Sequence, residues 1–155
     1  MPDHGDPWGL VNLAGGFLAA SATETALESW DGMMKLNLRG AFVALRAVAR
    51  QLRGRHGRLV FVGSSSALDL PAGQAAYAVS KAGVAALVSV TSKELSGTGV
   101  TVNAVMPDAL DTEAMRQADL GIPLVPLEHV ASTIAWLVSD ASASVTGALV
   151  PLRAE

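Results

Sequence analysis

Three short apolar runs limit what this chain can fold into: Gly9-Leu-Val-Asn-Leu-Ala14, Arg58-Leu-Val-Phe-Val-Gly63 and Val100-Thr-Val-Asn-Ala-Val-Met106. None alternates apolar with polar residues over its length, as a strand with one wet face does. Near-continuous apolar strands are covered on both faces, which is the pattern of a parallel sheet. Longer helical stretches separate the runs. The strand–helix–strand alternation gives an α/β fold: a parallel sheet of about four strands with helices on both faces, a partial doubly wound (Rossmann) arrangement.

The chain has 155 residues, half of them hydrophobic and 16% charged, with mean hydropathy +0.38. That is one domain, residues 1–155, too apolar for disorder and with apolar surface left for a partner. Thr23 to Arg53 reads as helix, in one long or two broken pieces, with Thr25 and Glu28 spaced as a capping box. Gln74 to Leu95 is a helix with Gly97 just past its end, and Leu127 to Ser139 is another. Asp108 to Pro126 reads as a loop. Ala148 to Leu152 is a weaker last strand whose Pro151 suits an edge.

A net charge of −3 and a pI near 5.5 speak against nucleic acid or an anionic membrane as partner. The basic run Arg46, Arg50, Arg53, Arg55, His56 and Arg58 reads as cations at a helix C-terminus. No uncharged apolar run approaches the roughly 20 residues that a bilayer requires. The acidic, turn-rich MPDHGDPWG start is not a signal peptide, and cysteine is absent, so a cytoplasmic location is expected.

Chemistry enters with the chain's one tyrosine. Tyr77 and Lys81 stand four apart on a helix, on one face, with Cβ atoms roughly 5–6 Å apart. A phenol titrates about three units above neutrality, and an adjacent ammonium can supply the roughly 4 kcal/mol that closes the gap. The pair is therefore a candidate general acid/base unit. Thirteen residues before Tyr77 stands Ser64, at the tip of a strand on the carboxyl edge where open parallel sheets bind ligands. Its hydroxyl can hold a substrate oxygen beside the phenol; Ser65 and Ser66 compete for that role. Hydrolysis through Ser64 is disfavoured, because His4, His56 and His129 sit in a terminus, a basic turn and a helix start, and no nucleophile elbow surrounds Ser64. No His/Asp/Glu set has metal-ligand spacing.

These pieces, in order, resemble the short-chain dehydrogenase/reductase family from about Leu10 to Leu152. Val11-Asn12-Leu-Ala14-Gly15 resembles its N-N-A-G stretch, with Leu13 for the second Asn. Met34-Lys-Leu-Asn37-Leu resembles the segment with the fourth catalytic residue, and Val62-Gly-Ser64 and Tyr77-Ala-Val-Ser-Lys81 its Ser and Y-x-x-x-K elements. Val102-Asn103-Ala-Val-Met-Pro107 resembles its N-x-x-x-P-G segment, with Asp108 in place of the final Gly. The resemblance implies NAD- or NADP-dependent hydride transfer to or from a small carbonyl or alcohol. Tyr77 is then the proton donor, Lys81 acidifies it and binds the nicotinamide ribose, Ser64 holds the substrate oxygen, and Asn37 supports a relay water. Asn12, Ala14, Gly15, Pro107 and Thr112 are implied to lie along the cofactor.

The family's glycine-rich phosphate turn has no counterpart here, since Gly15-Gly16 lacks its spacing. By resemblance the chain starts near the family's fourth strand. The Leu10–Ala14 strand is then expected to be an open edge, and the chain to form homo-oligomers or bind a partner that covers it. The alternative to an enzyme is a non-catalytic remnant serving as a binding or oligomerisation module.

Overall fold

The computed structural model describes residues 7–52 and 56–154; Arg53, Arg55 and the MPDHGD start lie outside the described residues. The strands are β1 (Gly9–Asn12), β2 (Gly57–Val62), β3 (Val100–Pro107) and β4 (Leu149–Leu152). All pair in parallel in the order β1-β2-β3-β4, with Leu10 opposite Leu59, Leu59 opposite Val102 and Val105 opposite Val150. The fold class expected from the apolar runs is the one observed. β2 and β3, the inner strands, are buried almost throughout, whereas β1 and β4 are half-buried edges, and Pro151 sits on the β4 edge.

Alternate residues of the inner strands serve two cores. Leu59, Phe61, Val102, Ala104 and Met106 pack beneath the helices α2 (Gly40–Gln51) and α4 (Ala75–Glu94). Val60 and Val105 face the opposite way, against Val130 and Leu137 of α6 (Leu127–Val138). By length and composition α4 passes for a membrane span, yet half of it is buried in this fold, Lys81 included.

The first helical region is one run: α1 (Leu27–Met33), a π-helical turn at Met34–Arg39, then α2. The Thr25–Glu28 capping box does not form. The Thr25 hydroxyl donates to the Ser21 carbonyl at 2.6 Å inside a preceding turn, and Ala26 becomes the N-cap. The Asp108–Pro126 stretch is also more ordered than a plain loop. It contains α5 (Glu113–Ala118), and the pairing of Leu110 with Val125 closes it at its base. A four-residue helix, α3 (Ser66–Asp69), follows the β2 tip, and Gly97 adopts the left-handed conformation that ends α4's C-terminal turn.

Candidate active site

The carboxyl ends of β1 and β2, the π-helical turn and the first turns of α4 meet at one place. Asn37 is the buried residue of the π-helical turn, 1% exposed. An extra residue per turn re-aims a side chain, which is why such turns recur at functional sites. Here the Asn37 amide points inward and secures both neighbours. Its Oδ1 accepts from the Gly16 N–H at 2.8 Å, and its Nδ2 donates to the Gly16 carbonyl at 3.1 Å and to Ser80 Oγ at 2.9 Å. Ser80 in turn donates to the Tyr77 carbonyl at 2.7 Å. The loop after β1 is thereby tied to α4 through a single amide.

Lys81 is buried and donates from Nζ to the Val62 carbonyl, the last of β2, at 2.9 Å. A Cβ on Gly15 would stand 3.1 Å from Asn37 Oδ1 and 3.2 Å from Lys81 Nζ, so a larger residue there would crowd those polar atoms. Tyr77 lies below the ammonium, its ring centroid 5.9 Å from Nζ, and Phe17 packs edge-on against it at 4.9 Å. The Ser64 hydroxyl lies beside the phenol and accepts from the Ser66 N–H at 3.2 Å. Ser64, Tyr77, Lys81, Asn37 and Gly15 thus converge.

The electrostatics differ from the sequence expectation. Burial raises the Tyr77 pKa above that of a free phenol, and the adjacent Ser64 hydroxyl only partly offsets this. Burial also drives Lys81 down to about 8. The ammonium sits over the ring and bonds the Val62 carbonyl, not the phenol oxygen, so in this geometry it does not acidify Tyr77. Low dielectric disfavours the charged form of both groups.

The other positions separate. Asn12 ends β1, half-buried, while Ala14 and Gly15 are exposed beyond it. Pro107 ends β3 beside the site, its carbonyl accepting from the Ser65 N–H at 2.9 Å. Thr112 caps α5, accepting from the Met115 N–H at 3.3 Å. Asn103 is wholly buried and structural: it donates to the Val145 carbonyl at 2.8 Å and accepts from the Ala148 N–H at 3.0 Å. Asp111 pairs with Arg116 at 2.7 Å and Asp108 with Arg153 at 3.1 Å.

Sequence reasoning passed over Ser80 and Phe17. Ser80, next to Lys81 on an apolar helix, needed a polar partner, and this was the signal for it. Phe17 follows directly on Gly15-Gly16 at the sheet edge.

The short chain dehydrogenase profile matches residues 2–121. A 3-oxoacyl-[acyl-carrier-protein] reductase of Synechocystis sp. is 36% identical over 89% of this chain and 60% of its own length. One from Thermotoga maritima is 37% identical, over 91% of this chain and 62% of its own. A solved short-chain type dehydrogenase/reductase from Mycobacterium ulcerans superposes with a TM-score of 0.87 at 29% identity, over 97% of this chain and 60% of that one. The chain spans about 60% of the length of these relatives. With family-wide sequence similarity, a matching fold and a converged Ser–Tyr–Lys–Asn set, this chain belongs to the short-chain dehydrogenase/reductase family.

Proposed function

We propose that residues 1–155 form one domain, the catalytic half of an NAD(P)-dependent oxidoreductase that interconverts a small carbonyl and alcohol. The observation that carries this reading is the convergence of Ser64, Tyr77 and Lys81 beside the open backbone of Gly15. The nicotinamide side of the site has a fitting donor set. Lys81 uses one of its three N–H groups on Val62, leaving two for ribose hydroxyls, and Gly15 permits close approach. The adenosine-diphosphate side does not fit: among the described residues, β1 does not lead through a glycine turn into a helix N-terminus. Asn12, Ala14, Pro107 and Thr112 complete the proposed cofactor-facing set, Thr112 through whatever its capping bond leaves free.

A nicotinamide held by Lys81 and the open backbone at Gly15 would supply or take up the hydride. Tyr77 gives its phenolic proton to the carbonyl oxygen, and Ser64 donates a hydrogen bond to the same oxygen. Lys81, cationic below about 8, favours the tyrosinate left behind once a ligand orders its free N–H groups. Asn37 has both amide hydrogens committed, so a relay water relies on the second lone pair of its Oδ1. The 3-oxoacyl-[acyl-carrier-protein] reductases among the relatives make a 3-oxoacyl thioester the first carbonyl to try.

The test is oxidation of NADH, NADPH and reduced nicotinamide mononucleotide with an acetoacetyl thioester, in wild type and Tyr77→Phe. All three donors should bind weakly, ~1 mM or worse, because the diphosphate cradle contributes nothing. Turnover should vanish in Tyr77→Phe with donor affinity unchanged. Turnover that survives the substitution, or micromolar NADPH affinity, overturns the reading.

A specific observation favours a second reading, an assembly module. The outer face of the α1–α2 run and α4 bears an apolar groove of about 850 Å³, lined by Met34, Leu38, Phe42, Leu87 and Val90. Its occupant in this reading is a second copy of the chain. Asp31 and Arg39 flank the groove on one helical run, so an antiparallel two-fold pairing sets acid against base.

A further inference from the structure

At the carboxyl tips of β2, β3 and β4, one arginine holds together three segments that the proposed chemistry does not use. Arg153, directly after β4, donates from Nη1 and Nη2 to the two carboxylate oxygens of Asp69, the Nη2–Oδ1 bond being 3.0 Å. Its Nη1 also reaches Asp108 Oδ1 at 3.1 Å. Asp108, directly after β3, accepts from the Ala154 N–H at 3.1 Å through its other oxygen. The Ser65 N–H is bound to the Pro107 carbonyl at 2.9 Å.

Asp69 closes α3, the turn that starts at Ser66, and that turn grips Ser64 from its far side. The Ser66 N–H bonds Ser64 Oγ at 3.2 Å, and the Ala67 N–H bonds the Ser64 carbonyl at 3.0 Å. Ser64 is therefore held on one side by α3, whose end is clamped to Arg153, and on the other by Ser65, whose N–H is bound to the carbonyl of Pro107, the residue before Asp108.

We propose that Arg153 is a positioning residue for Ser64: bridging Asp69 and Asp108, it fixes the turn that presents the Ser64 hydroxyl to Tyr77. The planar fork matters, because a two-point grip on one carboxylate and a third contact to another define an orientation that a point charge does not. The role ascribed to Ser64 rests on the function proposed above, whereas the clamp itself rests on geometry alone.

Tyr77 is the sole tyrosine, so tyrosine labelled at Cζ gives one carbon resonance, which responds to hydrogen bonding at the phenol without need of turnover. It should be recorded near neutral pH in wild type, Ser64→Ala, Arg153→Met, Arg153→Lys and the Ser64→Ala/Arg153→Met double variant. Arg153→Met should move the resonance in the same direction as Ser64→Ala, and by less. Arg153→Lys should restore part of the shift, and the Arg153→Met effect should vanish in the Ser64→Ala background. Arg153 is about half exposed, so the variants should keep the wild-type fold, verified by circular dichroism.

An unmoved resonance in Arg153→Met alongside a shift in Ser64→Ala overturns the positioning role and leaves the Ser64–Tyr77 pairing standing. Equal and additive shifts also overturn it, since Arg153 would then act by another route. A resonance that Ser64→Ala itself leaves unmoved removes the pairing on which both proposals stand.

Discussion

Burial disfavours the charged form of both Tyr77 and Lys81 but shifts their pKa values in opposite directions, and the folded protein's alkaline behaviour records the difference. Lys81 is depressed from 10.5 to about 8, so between those values the unfolded chain binds a proton that the folded chain does not. Stability therefore rises with pH from about 8 to about 10, by as much as ~3 kcal/mol from this residue. Tyr77 is raised above 10.0, so above that pH the folded chain retains a proton that the unfolded chain loses, and stability falls again. Urea unfolding midpoints taken at intervals from pH 7 to 11 should show the rise and the fall. Lys81→Met should flatten the rise and be more stable than wild type near pH 7, even with the Val62 bond lost. A Lys81→Met chain whose profile keeps the wild-type rise would place the titration elsewhere. The tyrosine–lysine pair was legible from spacing alone because a helix places residues four apart on one face. The direction of its electrostatics was not, because spacing does not reveal which acceptor the ammonium finds, and here that acceptor is a strand carbonyl.

The strand tips set where the site residues stand, and packing beneath them is tight. Gly63 follows β2 and precedes Ser64; a Cβ there would fall 2.3 Å from the Met106 sulfur and 2.9 Å from its methyl. Met106 is fully buried on β3, so it has no open side to move into. Gly63→Ala should cost about 1–3 kcal/mol in chemical denaturation by overpacking, and should also shift Ser64. Met106→Ala alone should cost about 2–5 kcal/mol, while the double variant should lose clearly less than the sum, since each change relieves the other. Additive losses would show that the two sites do not press on one another. The strand assignments were legible because buried parallel strands leave an unbroken apolar run in the sequence. The π-helical turn was not, since Met34–Arg39 has no residue that marks an extra one per turn, and the tertiary bonds of the Asn37 amide that hold it are not visible in sequence. α5 was missed for a related reason: its six residues are too few for a hydrophobic period, and its one sequence mark is Thr112 at the cap.

At the scale of the molecule, two of the exposed apolar surfaces are suited to pairing with another chain. On β1, an edge strand, Val11 is 41% exposed, with Trp8 at 62% just before the strand and Leu13 at 68% just beyond it. On the helical side, Phe42 and Val90 of the groove are each about half exposed. An unpaired parallel edge offers a row of backbone N–H and C=O groups to another strand, and a charge on it blocks that pairing. The groove instead buries side chains between helices, so the two modes of association respond to different substitutions. Static light scattering on the 15.9 kDa chain should give a mass above the monomer's that grows with concentration. Phe42→Glu should remove the groove contact and leave smaller assemblies, Val11→Lys should remove edge pairing, and both together should give monomer throughout. If Phe42→Glu alone yields monomer, the groove is the only self-contact and the β1 edge awaits a different chain. If neither substitution changes the mass, association uses a third surface, and the second copy assigned to the groove is wrong. Wild type that is monomeric at every concentration removes self-association altogether, leaving both surfaces to a partner of other sequence.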